Sequence, residues 1–225
     1  MTHANVQSTP PDTRTALLQA ALTCFAEHGF DGTSMRMIAQ RAQRPLSLLS
    51  HYFGHKEGLY REAFAWMLSA PWRSTSAPSM PANGYLPRDR SEALRLLREQ
   101  IHSLYTEVTQ KNDPQDPLVE YSSALFLREM RSPRPSLHPL LIAHMRPRTE
   151  TLRNCILMLR TDLQEAEVIF LGSAIIGQVV GQGLMQGINQ VVWKKGESTR
   201  NEFQAAEMLV ELCLFGLLDE KRTRA

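Results

Sequence analysis

Cysteine is scarce: Cys24, Cys155 and Cys213 are the only three in 225 residues, an odd and scattered set that suits neither a disulfide framework nor a zinc cluster. Charge of one sign is scarce too. The 25 basic and 23 acidic residues leave a formal net charge of +2, too small to mark a nucleic-acid or membrane partner by bulk electrostatics. The chain has no G-x-S-x-G elbow, no H-E-x-x-H, no glycine-rich phosphate loop and no C-x-x-C pair. His138 and His144 are too far apart in sequence for the one-turn spacing of a helical metal pair. These absences argue against an enzyme, and neither a cofactor nor a metal is expected. No basic patch leads into an apolar run at the N-terminus, so a cytoplasmic setting without a secretory signal is expected.

What is present is helical periodicity. No convincing alternation of the strand type occurs, and the expected fold class is all-α. Residues 1–11 are polar with two prolines and read as a disordered arm. The Pro-, Ser- and Ala-rich stretch 71–88 is the longest candidate loop, able to cover the entrance of a pocket. A sharper break covers 111–117, with Asp116 as helix cap and Pro117 at the first helical position. Asp162 with Glu165, and Thr199 with Glu202, have capping-box spacing. Pro147 should kink or split the helical tract between about 137 and 160, because it removes a backbone donor.

From Thr13, the residues Leu18, Ala21, Leu22 and Phe25 form one apolar stripe. Gly29 should end that helix, with Phe30 folding back over its end. Thr33 is expected to cap a second helix with Met35, Ile38, Ala39 and Ala42 inward. After a short turn, a third helix should bury Leu46, Leu49 and Phe53 and present Ser47, Leu48, Ser50 and His51 outward. Two short helices joined by a tight turn have the layout of a helix-turn-helix, and a plain three-helix bundle is the competing reading. Charge does not decide between them: residues 12–58 carry five Lys/Arg against four Asp/Glu.

The residues themselves discriminate. Thr15–Ala16–Leu17–Leu18, Phe25, Gly29–Phe30, Gly32–Thr33–Ser34, Ile38–Ala39, Ala42 and Tyr52 through Tyr60 resemble the TetR-family signature. Gln43, Pro45 and Ser50 depart from its commonest form. Together with Phe126–Leu127–Arg128–Glu129–Met130, Pro133–Arg134–Pro135 and Ile175–Ile176–Gly177–Gln178, they look more like the CecR-type branch. Gln43 stands where the turn usually has glycine, and positive φ strains any other residue.

The resemblance implies a DNA-binding domain at 12–58 and a helical effector-binding and dimerisation domain at 59–225. Ser47, Leu48 and Ser50 would face base edges, with Leu48 packing on a thymine methyl. Arg36, Arg44, His51, Tyr52 and Lys56 would hold phosphates, and Thr33 would add a contact at a helix N-terminus. Tyr52 could instead belong to the core, and His51 could be merely solvated. With so few long polar side chains aimed at bases, part of the specificity should come from DNA shape.

Val168 to Trp193 is 26 residues without a charge, long enough to span a membrane, with GxxxG spacing at Gly177–Gly181 and Gly183–Gly187. Gln178, Gln182, Gln186 and Gln190 recur every four residues and would sit poorly in lipid. No membrane partner is therefore expected, and the stretch reads as a helix buried by protein on most sides. Its five glycines suit close approach of a second backbone, and the last helix (Phe203, Ala206, Val210, Leu214, Leu217) is the natural neighbour. The resemblance makes this pair the core of a homodimer. It also implies a small, largely apolar effector of unknown identity lined by Trp66, Met67, Tyr105, Tyr121, Phe126, His144, Met145 and Gln178, for each of which core packing competes. The pair Arg128–Glu129 is expected to be a salt bridge or a ligand anchor. The expected function is a dimeric regulator, most simply a repressor, released from a partly palindromic operator by that effector. The alternative is a constitutive DNA-binding regulator without one.

Overall fold

Every regular element among the described residues is helical, in agreement with the all-α expectation. The computed structural model describes residues 12–69, 83–109, 117–192 and 202–218. The helices are α1 (Thr13–Gly32), α2 (Met35–Arg41), α3 (Leu46–Phe53), α4 (Lys56–Ser69), α5 (Arg90–Thr109), α6 (Pro117–Arg131), α7 (His138–Leu159), α8 (Glu165–Val192) and α9 (Glu202–Leu218), with a 3-10 turn at Pro135–Leu137. The expected arm at 1–11, most of the 71–88 loop, the cap Asp116 and the cap Thr199 lie outside the described residues.

The chain divides into two compact units, Met1–Pro71 with Asp113–Leu140, and Trp72–Asn112 with Leu141–Ala225. The unit that holds the helix-turn-helix is thus larger than residues 12–58, because α4 and α6 both pack on α1. Its core is built from Leu17, Leu18, Leu22 and Phe25 of α1 with Ile38, Leu49, Leu59, Phe64 and Met67, all fully buried. Burial of each such side chain is worth about 1.5–3 kcal/mol, which holds the short α2 and α3 in place despite their length.

Asp12 starts α1 by accepting the Thr15 N–H at 2.8 Å. The helix breaks at Gly29 (φ 74, ψ 172), and Phe30 turns in against Phe25 (6.0 Å) and edge-on to Tyr60 (5.0 Å). A regular helix would pair the carbonyls of Phe25 and Ala26 with residues 29 and 30. Here Arg128 of α6 donates to both, at 3.1 and 3.3 Å. Its neighbour Glu129 is buried and accepts from the Tyr60 hydroxyl at 2.5 Å and the Arg134 N–H at 2.9 Å. The expected Arg128–Glu129 bridge is therefore replaced by two separate attachments of α6, one to α1 and one to α4.

In the second unit α5 packs against both α8 and α9, so the two C-terminal helices share α5 more than each other. Ala93, Leu97, Ile101, Cys155, Ile156, Val168, Val179 and Val210 form its apolar core. The segment before α5 is fastened rather than free: the Tyr85 N–H donates to the Thr151 hydroxyl at 2.6 Å, and Asn154 donates to the Tyr85 carbonyl at 3.2 Å. Glu92 collects the Arg88 N–H (2.7 Å) and guanidinium (3.2 and 3.1 Å), and the Arg88 contacts hold its carboxyl down to about 2. The described end of the 71–88 stretch is thus not a free flap.

Three local expectations are corrected. Pro147 lies inside an unbroken α7. Asp162 pairs with Arg160 at 2.8 Å, and the cap of α8 sits two residues later, where Glu167 accepts the Gln164 N–H at 2.7 Å. The α8 helix is not enclosed on most sides either: from Glu165 to Met185, 17% of its apolar window is buried in the chain. By length and composition alone that stretch could cross a membrane.

Candidate nucleic-acid interface

The α2–α3 hairpin is built by end chemistry, since neither helix is long enough to persist alone. Ser34, rather than the expected Thr33, caps α2 by accepting the Met37 N–H at 3.2 Å. At the other end the Arg44 N–H reaches the Ala39 carbonyl (3.0 Å) and the Gln43 N–H reaches that of Gln40 (3.1 Å). This is the double bond pattern of a Schellman turn, and it requires residue 43 to be left-handed. Gln43 adopts φ 52 there, the only non-glycine positive φ among the described residues. The glycine-less turn keeps its geometry, at a backbone cost of about 1–2 kcal/mol.

The α3–α4 junction is equally tight. Gly54 has φ 72, and a Cβ at Gly58 would lie 2.4 Å from the Phe53 carbonyl oxygen. The G-H-K-E-G run thus sets the exit of α3 by close backbone approach.

On α3, Leu49 (0% exposed) and Phe53 (7%) face the core. Ser47, Ser50, His51 and Tyr52 are exposed, as are Arg36 on α2 and Arg44 in the turn, so six predicted contacts are open to solvent. Tyr52 is not a core residue: it is 45% exposed and leans edge-on against His51 at 5.5 Å. Two predicted contacts are otherwise engaged. The Thr33 hydroxyl is buried and donates to the carbonyls of Cys24 (2.9 Å) and Gly29 (2.7 Å), so no donor remains there for phosphate. Lys56 donates to the Thr33 carbonyl at 2.8 Å with its ammonium 4.4 Å above the Phe30 ring.

A third difference concerns the two leucines. Leu46, expected inside, is 45% exposed, and Leu48, expected outside, is half-buried. Helical side chains tilt toward the N-terminus, so the first residue of α3 projects past the end of the helix, where the core does not reach. Nothing in a periodicity count carries that end effect.

Residues 17–63 match the family of bacterial regulatory proteins, tetR family. The match lies over the helix-turn-helix region and α4. The HTH-type transcriptional regulator BetI of Burkholderia ambifaria strain MC40-6 is 35% identical over 81 residues, which cover 36% of this chain and 41% of that protein. The aligned part is thus about two-fifths of the relative's length. Solved structures extend the likeness of fold over most of the chain. A TetR-family transcriptional regulator from Bordetella parapertussis 12822 superposes with a TM-score of 0.55 at 20% identity, over 90% of this chain and 94% of that one. A transcriptional-regulator structure from Pseudomonas aeruginosa PAO1 gives 0.62 at 18% identity, over 97% and 96%.

The effector candidates of the TetR reading divide between the units. Trp66, Met67, Tyr121 and Phe126 belong to the first and Tyr105, His144, Met145 and Gln178 to the second. Met67 is fully buried in its own core, and Phe126 stacks on Phe64 at 6.3 Å. Tyr121 hydrogen-bonds Glu27, which pushes its hydroxyl pKa up. His144 and Gln178 are exposed, while Trp66, Tyr105 and Met145 are half-buried. Within the second unit, a cleft between α7 and α8 is lined by Glu150, Arg153, Glu165, Ile169, Ser173 and Ile176, and none of the eight candidates lines it.

The dimer candidates also sort. A Cβ on Gly177 or Gly181 would meet nothing within 4 Å, so both leave an open face on α8. A Cβ on Gly183 would instead lie 3.0 Å from the Val108 carbonyl oxygen of α5, and one on Gly172 would touch Leu152 at 3.6 Å. Phe203 is 65% exposed and Leu214 half-buried, whereas Val210 is fully buried within its own unit and is unavailable to a partner. The side chain of Leu217 lies outside the described residues.

Proposed function

We propose that this chain is a dimeric, sequence-specific DNA-binding transcriptional regulator, most simply a repressor, that leaves a partly palindromic operator when a small, largely apolar effector binds its helical region. The observation that carries the proposal is the outer surface of α2 and α3. Six predicted contact residues stand free of the core on a hairpin whose caps, Schellman turn and Gly58 contact fix its shape. Arg36, Arg44, His51 and Tyr52 would hold phosphates, and Ser47 and Ser50 would meet base edges.

The dimer follows from the same reading, because two recognition helices must span half-sites one turn of DNA apart. Its support is the apolar surface of the C-terminal helices: Phe170 (71% exposed), Leu184 and Ile188 lie open on α8 with the bare Gly177 and Gly181, and Phe203 and Leu212 lie open on α9. Kinship with the CecR-type branch belongs to this proposal and rests on Phe126–Met130 and Ile175–Gln178. The attachments of Arg128 and Glu129 to α1 and α4 give that first motif a physical task, that of joining α6 to the hairpin's base.

The test is selection of duplex DNA from a random pool with the full chain, followed by binding at several salt concentrations. Enrichment of a two-fold site whose affinity falls as salt rises supports the proposal, since phosphate contacts release counterions. A compound screen on that complex then separates an effector-released regulator from a constitutive one. Coupling of about 1–3 kcal/mol is the size expected of an allosteric effector.

A further inference from the structure

We infer that Leu46 reads a thymine methyl group in the major groove, which makes it a specificity-determining residue of the recognition helix. The inference rests on the DNA-binding reading above and adds to it the chemistry of one contacted base. Leu46 is the first residue of α3 and is 45% exposed, while Leu49 and Phe53 on the same helix are buried. In helix-turn-helix proteins, the N-terminal residues of the second helix meet base edges. The N-terminal tilt of a helical side chain carries Leu46 beyond the helix end in that direction.

The rest of α3 narrows what can be read. Its sequence Leu46–Ser–Leu–Leu–Ser–His–Tyr–Phe53 holds no Arg, Lys, Asn or Gln, so no side chain on it can make the bidentate contacts that distinguish guanine or adenine. The two serines read donor or acceptor alike. The apolar feature of the groove is the C5-methyl of thymine, and an exposed leucine at the leading end of the helix is its complement. Leu48 is the competitor, and its half-burial leaves less of it to offer.

The experiment uses the full chain and the site it selects. At the thymine enriched in each half-site, deoxyuridine replaces thymidine and removes only the methyl. Wild-type binding should weaken roughly fourfold per half-site, the factor for withdrawing one methyl-sized apolar group from contact. Leu46→Ala, which alters an exposed side chain, should bind both DNAs equally and melt as the wild type does. Leu46→Gln should shift the selected base from thymine toward adenine. If Leu46→Ala keeps the deoxyuridine penalty, the methyl is read by another residue and the inference fails, while the DNA-binding reading stands. If selection enriches no sequence at all, both fail together.

Discussion

In the unit of α1, α4 and α6, Thr33, Ser122 and Glu129 are buried and each has a hydrogen-bond partner. Among the described residues, its exposed large apolar side chains are Leu46, Tyr52 and Met130, two of them on α3. The unit of α5, α8 and α9 differs on both counts. Gln100 of α5 is 9% exposed, and neither its side-chain oxygen nor its nitrogen has a partner. Among the described residues, ten exposed apolar side chains stand on α8 and α9, from Ile169 to Leu212. The first unit reads as finished within one chain, with its open surface confined to the hairpin. The second reads as finished only with something added.

The largest effect should come from breaking the finished unit. Glu129→Ala strands the Tyr60 hydroxyl and the Arg134 N–H, and should cost about 3 kcal/mol of stability by urea denaturation. A loss below about 1 kcal/mol would mean that α6 is not held by this contact. In the other unit, Gln100→Leu should stabilise the chain by about 1–3 kcal/mol, because it removes an amide buried without partners. Destabilisation would show instead that the amide is satisfied in solution.

Gly181→Leu sharpens the contrast. Nothing lies within 4 Å of the added Cβ, so the single chain should accommodate the change, while self-association weakens by about 1–3 kcal/mol in sedimentation. An unchanged dimer would move the interface away from this face of α8. In the hairpin turn, Gln43→Gly should raise stability by about 1 kcal/mol, since it relieves positive φ at an exposed position.

The pH prediction is the smallest in effect. Glu92 ionises in the fold at about 2, well below an ordinary glutamate. The folded-state pKa is depressed, so the contribution of Glu92 is complete above about pH 4.5 and is lost as pH falls toward 2. Glu92→Gln should flatten that part of an acid-denaturation curve.

Much of the fold was legible in the sequence because it is local. The stripe Leu18–Phe25, the Gly29 break and the outward Ser47, Ser50 and His51 follow from spacing and from glycine's conformational range. What was not legible lies at helix ends and between distant residues. Leu46 and Leu48 exchange roles because a periodicity count treats a first residue like an interior one. Ser34 caps α2 because the Thr33 hydroxyl is drawn instead to the Cys24 and Gly29 carbonyls of α1. The partners of Arg128 lie about 100 residues earlier in the chain, so no local pattern could supply them. Likewise, five glycines on α8 looked alike in sequence, and the structure separates Gly183 and Gly172, which contact their own unit, from Gly177 and Gly181, which do not.

The central claim is that the outer surface of α2 and α3 binds DNA. Its most direct test is fluorescence anisotropy of the full chain on its selected duplex, with Ser47→Ala and Tyr52→Ala beside the wild type at two or more salt concentrations. Tyr52→Ala should weaken binding to all sequences and flatten the salt dependence, as loss of a phosphate contact requires. Ser47→Ala should weaken binding by about 1 kcal/mol, the size of one hydrogen bond, with the salt slope unchanged. Tight, salt-dependent binding that neither variant disturbs would contradict the account and place the DNA elsewhere on the molecule.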